Sequence, residues 1–548
     1  MKRRGISLIV LVITIIVVII LAGAVILSIV NNNPIENAKE AKFKSNLKTI
    51  EEELNMYIQS KYANSLGEVQ NLNLIGKDLV EILPSAKDYQ DKLKVVEGKL
   101  YIVKSKMSSD EITWSKEFGI EEKIANAPDI SGFNKSNTYY VSWKLTDNTY
   151  QIIEENNLSK DAPSDWYDYT EGVNHWANIK TTGGENDCYW VWIPRYAYCI
   201  TGGYHSNVSG EVDIKFLKGT TNTPLDGSSI TISNSSGEGN WNVHPAFWWD
   251  KNNNGVEDEG EQLSGIWVAK FEASSNSASV VENPTSTQLE TDGGSDTDTD
   301  LKIRVKPNVT SWRNITVNSI FTVCRNLTTI GNSLESTSNL DSHMMKNTEW
   351  GAVAYLSRSI YGKNKEVWNN PYYNNTTNCS PITGLCGNEL NGHSATTDIS
   401  KTYKYNEKGG ENASTTGNVY GVYDMAGGSW EYVAGIFASG ASNDNQSQLF
   451  DFKNLKYVDK YTNKNGSQPT YYGNNKYGDA VYETSASGIG RTDSWGSSFS
   501  QFPYSSSSVF IRGGSVSNGS SAGVFAFLNS SGETATAFGF RPVVISSY

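Results

Sequence analysis

The stretch from Ile6 to Val30, ISLIVLVITIIVVIILAGAVILSIV, carries no charge and constrains this chain more than any other segment. As a helix at ~1.5 Å per residue it would run ~37 Å, enough to cross the ~30 Å hydrocarbon layer of a bilayer. The residues before it read MKRRG, and Lys2, Arg3 and Arg4 predict a cytoplasmic tip with everything after Val30 outside. The membrane is thus an expected partner through residues 6–30. A cleaved secretory signal has a shorter apolar core of ~7–15 residues ending at a small-residue site. Here the run is longer and NNNP follows it. A plain signal anchor fits the same letters.

Beyond Pro34, the segment IENAKEAKFKSNLKTIEEELNMYIQSKY spaces Phe43, Leu47, Ile50, Leu54 and Tyr57 by fours and threes, one stripe of an amphipathic helix over 31–62. A short basic leader (1–5) ending in Gly5, a long apolar helix and an amphipathic continuation resemble the type IV pilin family. The resemblance implies processing between Gly5 and Ile6, pilin-like partner subunits, and a place in the cell membrane or a pilus-like surface structure. Val10 stands where most pilins carry a glutamate, which implies an atypical or tip subunit, or an anchor that never polymerises.

The chain has 548 residues, enough for several domains, and 15 Trp and 30 Tyr beside 48 Gly predict short strands joined by tight turns. A formal charge of −13 argues against nucleic acid as a partner, since such binding rests on a basic face. The cysteines Cys188, Cys199, Cys324, Cys379 and Cys386 show no C-x-x-C spacing, which excludes the usual structural zinc pattern. Cys379 and Cys386 flank a short loop and are the best disulfide candidates in an oxidising compartment.

Residues 63–130 read as a small α+β domain in which LKVVEGKLYIV forms a hairpin turning at Glu97-Gly98. Residues 131–175 read as a linker with lead-in strands, and a large domain spans 176–548. The large domain contains CYWVWIPRYAYCI, GIWVAKFEAS and a helix around HMMKNTEWGAVAYLSRSIYG, in which Trp350, Val353, Ala354, Ser357 and Tyr361 share a face and Asp341 or Ser342 can cap the start.

Near the C-terminus, GNVYGVYDMAGGSWEYVAG is followed by RGGS and GFRPV. This order resembles the superfamily that unites formylglycine-generating enzymes with the variable proteins of diversity-generating retroelements. It implies a C-type-lectin-like domain of irregular β structure with few helices. With the N-terminal transmembrane or pilin-like helix and the small unit, the expected class is α+β. Gly421, Gly427, Gly428, Gly513 and Gly514 are expected at turns or close approaches. Trp430 and Phe540 are expected in the core, and Arg512 and Arg541 in buried pairs with carboxylates such as Asp424 or Glu431.

The enzymes of that superfamily place a copper-binding cysteine pair shortly after RGGS, whereas this segment, RGGSVSNGSSAGVFAFLNSSGETATAFGFR, holds no cysteine. Without a thiolate there is neither a soft copper ligand nor a redox-active sulfur. The five histidines are scattered singly. No catalytic residue is therefore assigned. The segment does supply small, polar and aromatic side chains that suit ligand contact: Val516, Ser517, Asn518, Ser520, Ser521, Phe527, Asn529, Ser530, Glu533, Thr534 and Thr536. An ordinary serine-rich loop fits the same composition. A separate stretch, DKNNNGVEDEGE, matches a calcium loop with Asp250, Asn252, Asn254, Val256 and Glu261 as ligands, although strand-like segments flank it where such a loop usually joins helices.

The expected function is a surface-displayed, pilin-like adhesin or receptor-type protein, not an enzyme, that binds a protein or glycan and is open to retroelement diversification. The alternatives are an inactive or atypical formylglycine-generating-enzyme-like protein and a structural pilus subunit.

Overall fold

The computed structural model describes residues 34–62, 72, 74–275, 302–438, 456–462 and 477–546, apart from short breaks within these stretches. The chain divides into two units, Met1–Lys123 and Ile124–Tyr548.

In the first unit the helix Pro34–Tyr62 turns its apolar stripe inward, with Phe43, Leu47, Ile50 and Leu54 all buried. These side chains pack with Leu79, Leu83, Leu93, Val95 and Ile102. The sheet beside them comprises β1 (Leu74–Ile75), β2 (Leu93–Val96) and β3 (Lys99–Ile102), with β2 and β3 pairing antiparallel as the hairpin.

The expectation of an α+β protein led by a long transmembrane or pilin-like helix is corrected by the structure. The described chain is mostly β-sheet with few helices, and among the described residues no helix is long and apolar enough to cross a membrane. Pro34–Tyr62 is long, but Lys39, Glu40, Lys42, Lys48, Glu51 and Glu52 interrupt every apolar run. Its stripe is only wide enough for one packed side. The run Ile6–Val30 and the Gly5–Ile6 junction lie outside the described residues.

In the second unit, aromatic and β-branched runs form two seven-stranded sheets. The first contains β4 (Thr138–Thr146), β5 (Thr149–Ile153), β6 (Asn178–Thr181), β7 (Cys188–Pro194), β11 (Gly265–Ala269), β14 (Leu340–Met344) and β24 (Pro542–Ser546), in the order β14-β24-β11-β7-β6-β4-β5. Residues 138–153 are thus sheet strands of the large unit. At the centre, β7 and β11 are buried at every position, as their unbroken apolar letters require. A smaller sheet joins β8 (Tyr196–Gly202) to β9 (Glu211–Phe216) and β10 (Trp241–Val243). Two short pairs are β12 (Ser274–Ser275) with β13 (Ile303–Arg304) and β15 (Leu385–Gly387) with β16 (Thr402–Lys404). The second large sheet comprises β17 (Trp430–Ala438), β18 (Asp459–Thr462), β19 (Arg491–Ser494), β20 (Ser498–Gln501), β21 (Val509–Arg512) and β22 (Phe527–Ser530), with β23 (Phe538–Phe540) against β17.

The helix of the second unit that the sequence singled out runs Asn347–Arg358, later than expected. Asp341 and Ser342 do not cap it, because both lie in β14, paired with β24. Instead the Glu349 carboxylate accepts the Lys346 N–H at 2.7 Å. All its residues from Glu349 to Ser357 are buried, and Trp350 donates its indole N–H to the Val524 carbonyl at 2.8 Å. Gly351 lets this helix approach the backbone of 478–479. A Cβ there would lie 2.0 Å from the Gly478 carbonyl oxygen and 2.8 Å from Asp479 Cα. Gly351→Ala is therefore expected to cost about 1–3 kcal/mol through forced displacement, read as a lowered urea midpoint.

Candidate functional site

The RGGS and GFRPV segments meet at the second large sheet, and both of their arginines are fully buried. Arg541 forks onto Glu431, donating from Nε to Oε2 at 2.7 Å and from Nη2 to Oε1, and also donates to the Ala269 and Tyr423 carbonyls at 3.0 Å each. Arg512 takes no carboxylate. It donates to Asn347 Oδ1 at 2.6 Å and to the Asp479, Ala480 and Ala526 carbonyls at 2.9, 2.9 and 3.2 Å. Burial brings Arg512 down to about 10, against the raising effect of the nearby Asp479 charge.

Asp424 accepts the Gly384 N–H at 2.9 Å and the Asn370 amide at 2.9 Å, and Glu272 accepts the Ser429 N–H at 2.7 Å. Burial raises both carboxyls, and Glu272 is pushed furthest because the charges of Glu431 and Asp424 also face it.

Immediately after Arg512 the backbone turns through Gly513 (φ 87°) and Gly514 (φ 80°). A Cβ on Gly514 would lie 2.6 Å from Ala522, so only glycine closes this turn without displacement. The chain then winds through the turn Val516–Ser521, where Asn518 Oδ1 accepts the Ser515 N–H at 2.8 Å and Asn369 holds the Gly519 carbonyl at 2.5 Å.

This framework distributes the eleven sequence-selected side chains unequally. Ser517, Ser520, Glu533 and Thr534 are exposed, and Asn518, Ser521, Asn529 and Thr536 are half-buried. Val516, Phe527 and Ser530 are buried. Phe527 packs edge-on against Phe502, with ring centroids 4.9 Å apart, and Asn529 donates to the Phe502 carbonyl at 3.2 Å. Ser530 is 2.8 Å from the Tyr432 hydroxyl, which donates to the Glu533 carbonyl at 2.7 Å. Phe527 is thus a core residue that meets no ligand.

Strand alternation explains the split and exposes what the sequence selection missed. Arg512 pairs with Phe527 and Ile511 with Leu528, so Phe527 and Asn529 face the buried arginines while Leu528 faces the other way. That second face carries half-buried Leu528, Phe538 and Phe499. Phe538 sits beside Trp430 in register and meets Tyr432 edge-on at 5.4 Å, and the Arg491 guanidinium lies 4.5 Å from the Phe499 ring. The period-2 pattern of FLNS and FGF was the available signal.

The proposed calcium loop folds onto its own backbone. Asp250 accepts the Asn254 and Gly255 N–H groups at 3.0 and 2.8 Å, and Asn252 and Asn254 donate to Asp258 at 2.7 and 2.8 Å. Glu261 accepts from Lys251 N at 2.9 Å, Asn252 N at 3.4 Å, Asp258 N at 3.1 Å and Trp248 Nε1 at 3.1 Å. Burial alone would raise Glu261, but these four donors together hold it below the usual carboxylate range. A bidentate calcium ligand needs those oxygens, so the loop as folded does not fit the ion. Val256 stands exposed, and among the described residues no group of three or more His, Cys, Asp or Glu side chains is arranged to hold a metal. Cys188, Cys199, Cys324 and Cys386 are free and buried, and Cys379 lies outside the described residues.

No known protein-family profile matches this chain, and no curated protein matches it. Among solved structures it is weakly similar to Treponema denticola variable protein 1, at 14% identity and a TM-score of 0.21, over 52% of this chain and 85% of that one. The pilin resemblance finds no support in these comparisons.

Proposed function

We propose that the large unit is a displayed binding module of the variable-protein kind, which captures a protein or glycan on the side chains around β22 and β23. The observation that supports this is the contrast between framework and surface. The strands are tied by the fully buried Arg512 and Arg541 networks, while Ser517, Ser520, Glu533 and Thr534 stand exposed on the turns they connect. Exchangeable side chains on a rigid support bind with little ordering cost. Half-buried Leu528, Phe538 and Phe499 add apolar contact area beside them. In this reading the protein works by binding and not by catalysis, at the cell surface and facing another cell, a phage or matrix. Its charge of −13 suits neither a nucleic acid nor an acidic ligand.

An array of glycans and purified matrix proteins, probed with the full chain, tests the reading. A ligand that binds the native chain is expected to lose at least about tenfold in affinity to the double variant Ser520→Arg/Thr534→Arg, at an unchanged melting temperature. Equal binding by that variant would remove the surface from consideration. Among gene copies, diversification predicts changes concentrated in the codons for these exposed residues and not in those for Arg512, Phe527 or Arg541.

A further inference from the structure

His343 lies in β14 with its ring fully buried and both nitrogens beside carboxylates. Nε2 is 2.9 Å from Glu349 Oε1, and Nδ1 is 3.4 Å from Asp341 Oδ1, an ion-pair distance. The ring stacks on Trp249 with centroids 5.1 Å apart. A neutral imidazole carries one N–H, so it serves one of these carboxylates and turns a lone pair toward the other. Only the imidazolium offers an N–H to both.

Each nitrogen also leads to the start of β18. On the Nδ1 side, Asp341 accepts from the Tyr457 hydroxyl at 2.9 Å and lies 3.8 Å from the Lys456 ammonium. On the Nε2 side, Glu349 Oε2 accepts the Lys346 N–H at 2.7 Å and so caps the helix Asn347–Arg358. In the first turn of that helix the Thr348 N–H donates to Asp459 Oδ2 at 2.7 Å. Among the described residues β18 has β17 as its one strand neighbour, and its far end is held separately by the Tyr461 hydroxyl on Asp479 at 2.9 Å. Lys346, Thr348 and Asp459 also wall a cleft of about 470 Å³, together with Trp248 and Tyr477.

Two other cations face the carboxylates. Arg325 reaches Asp341 at 2.6 Å from a partly exposed position, and the Lys346 ammonium is 3.9 Å from Glu349, farther than His343. Loss of the His343 proton therefore falls hardest on Glu349, the cap of the helix.

We propose that His343 is a proton-dependent clamp that fastens the start of β18, and with it one wall of the cleft, to β14 and the helix Asn347–Arg358. Protonated, the ring joins both carboxylates. With the proton gone, the carboxylates repel each other and one of them meets a lone pair, so their links to Tyr457 and to the helix cap loosen. Burial lowers His343, but the charges of Glu349 and Asp341 outweigh it and hold the ring above its ordinary value of 6.5. The clamp is thus closed below that value and opens as pH rises through the folded one.

Amide hydrogen exchange of the full chain carrying Glu483→Gln, which keeps the Glu483 titration out of the signal, tests the proposal. Corrected for intrinsic rates, protection at Lys346, Thr348 and residues 456–459 is expected to fall by about three- to tenfold between about pH 6 and about pH 9, with β7 changing less. His343→Gln should show the low protection at both pH values. Asp341→Asn removes one of the charges that raise His343, so the fall should persist with its midpoint moved to lower pH. A passive structural role for Asp341 would lower protection at every pH and leave the midpoint in place. Flat protection in the parent chain, a fall shared equally by β7, a pH dependence kept by His343→Gln, or an unmoved midpoint in Asp341→Asn would each overturn the proposal. Should His343→Gln fail to fold, the parent chain and Asp341→Asn decide it.

Discussion

Replacing Arg541 with methionine is expected to destabilise the large unit by about 3–5 kcal/mol, among the largest losses any single side chain here can cause. Methionine fills most of the arginine's volume, so the loss is electrostatic. Glu431 would remain fully buried with its fork partner gone, and the Ala269 and Tyr423 carbonyls would lose their donor. Asp424 and Glu272 lie in the same buried group, and the charge of Arg541 is what opposes their mutual repulsion. The consequence depends on pH in a definite direction. Without the arginine, the Glu431 carboxyl rises further above its unfolded value, so the variant's deficit should be smallest in acid and grow as pH rises. Urea unfolding of Arg541→Met at acid and neutral pH measures this. The double variant Glu431→Leu/Arg541→Met should recover a large part of the loss, because it leaves no unpaired buried charge. Equal stability of Arg541→Met and the native chain at neutral pH would show that the pair does not hold this sheet.

Glu483→Gln should make the protein more stable above neutral pH, the opposite of what removing a hydrogen-bonded carboxylate usually does. Glu483 is fully buried and is pushed up to about 7, first by burial and then by the nearby Asp479 charge. Its acceptor bonds from Gly478 N at 2.7 Å, the Tyr355 hydroxyl at 2.8 Å and the Tyr198 hydroxyl at 2.9 Å work the other way and do not prevail. The folded state therefore keeps a proton that the unfolded state releases above its ordinary value of 4.5. Between those two values stability falls as pH rises, by up to about 3 kcal/mol from this group alone. Glutamine retains the shape and can accept and donate in the same cage, so Glu483→Gln removes this group's share of the dependence. The drop in urea midpoint from about pH 5 to about pH 8 should be clearly smaller for the variant than for the native chain. Parallel behaviour of the two would mean that Glu483 is ionised in the fold. His343, raised by Glu349 and Asp341 against the lowering effect of burial, contributes with the same sign and remains in both proteins.

Much of the architecture was legible in local patterns. The spacing of Phe43, Leu47, Ile50 and Leu54 marked the buried stripe of Pro34–Tyr62, and the unbroken apolar letters of Cys188–Pro194 marked a central strand. A buried arginine–carboxylate pair was expected for Arg541, with Asp424 or Glu431 as candidate partners, and the structure supplies Glu431. The surroundings of Arg512 were not legible, since its partners Asn347, Asp479 and Ala480 sit in distant segments whose approach no local pattern encodes. The binding segment was half legible. Composition pointed to Val516–Thr536, but Phe527 reads identically whether it faces ligand or core, and only its register opposite Arg512 decides. The calcium pattern failed for a related reason, because the letters specify oxygen atoms but not whether backbone N–H groups already hold them.

By itself, the sequence determined which stretches become helix or strand, where glycine must turn the chain after Arg512, and that the segment between RGGS and GFRPV has no thiol chemistry. These follow from side-chain size, periodicity and atom type, which are local. Only the tertiary structure decided which strand faces meet solvent, which buried carboxyls are pushed up by burial, and that Thr348 and Trp248 border one cleft. Those depend on desolvation and on partners far apart in the chain, and neither exists until the sheets have packed.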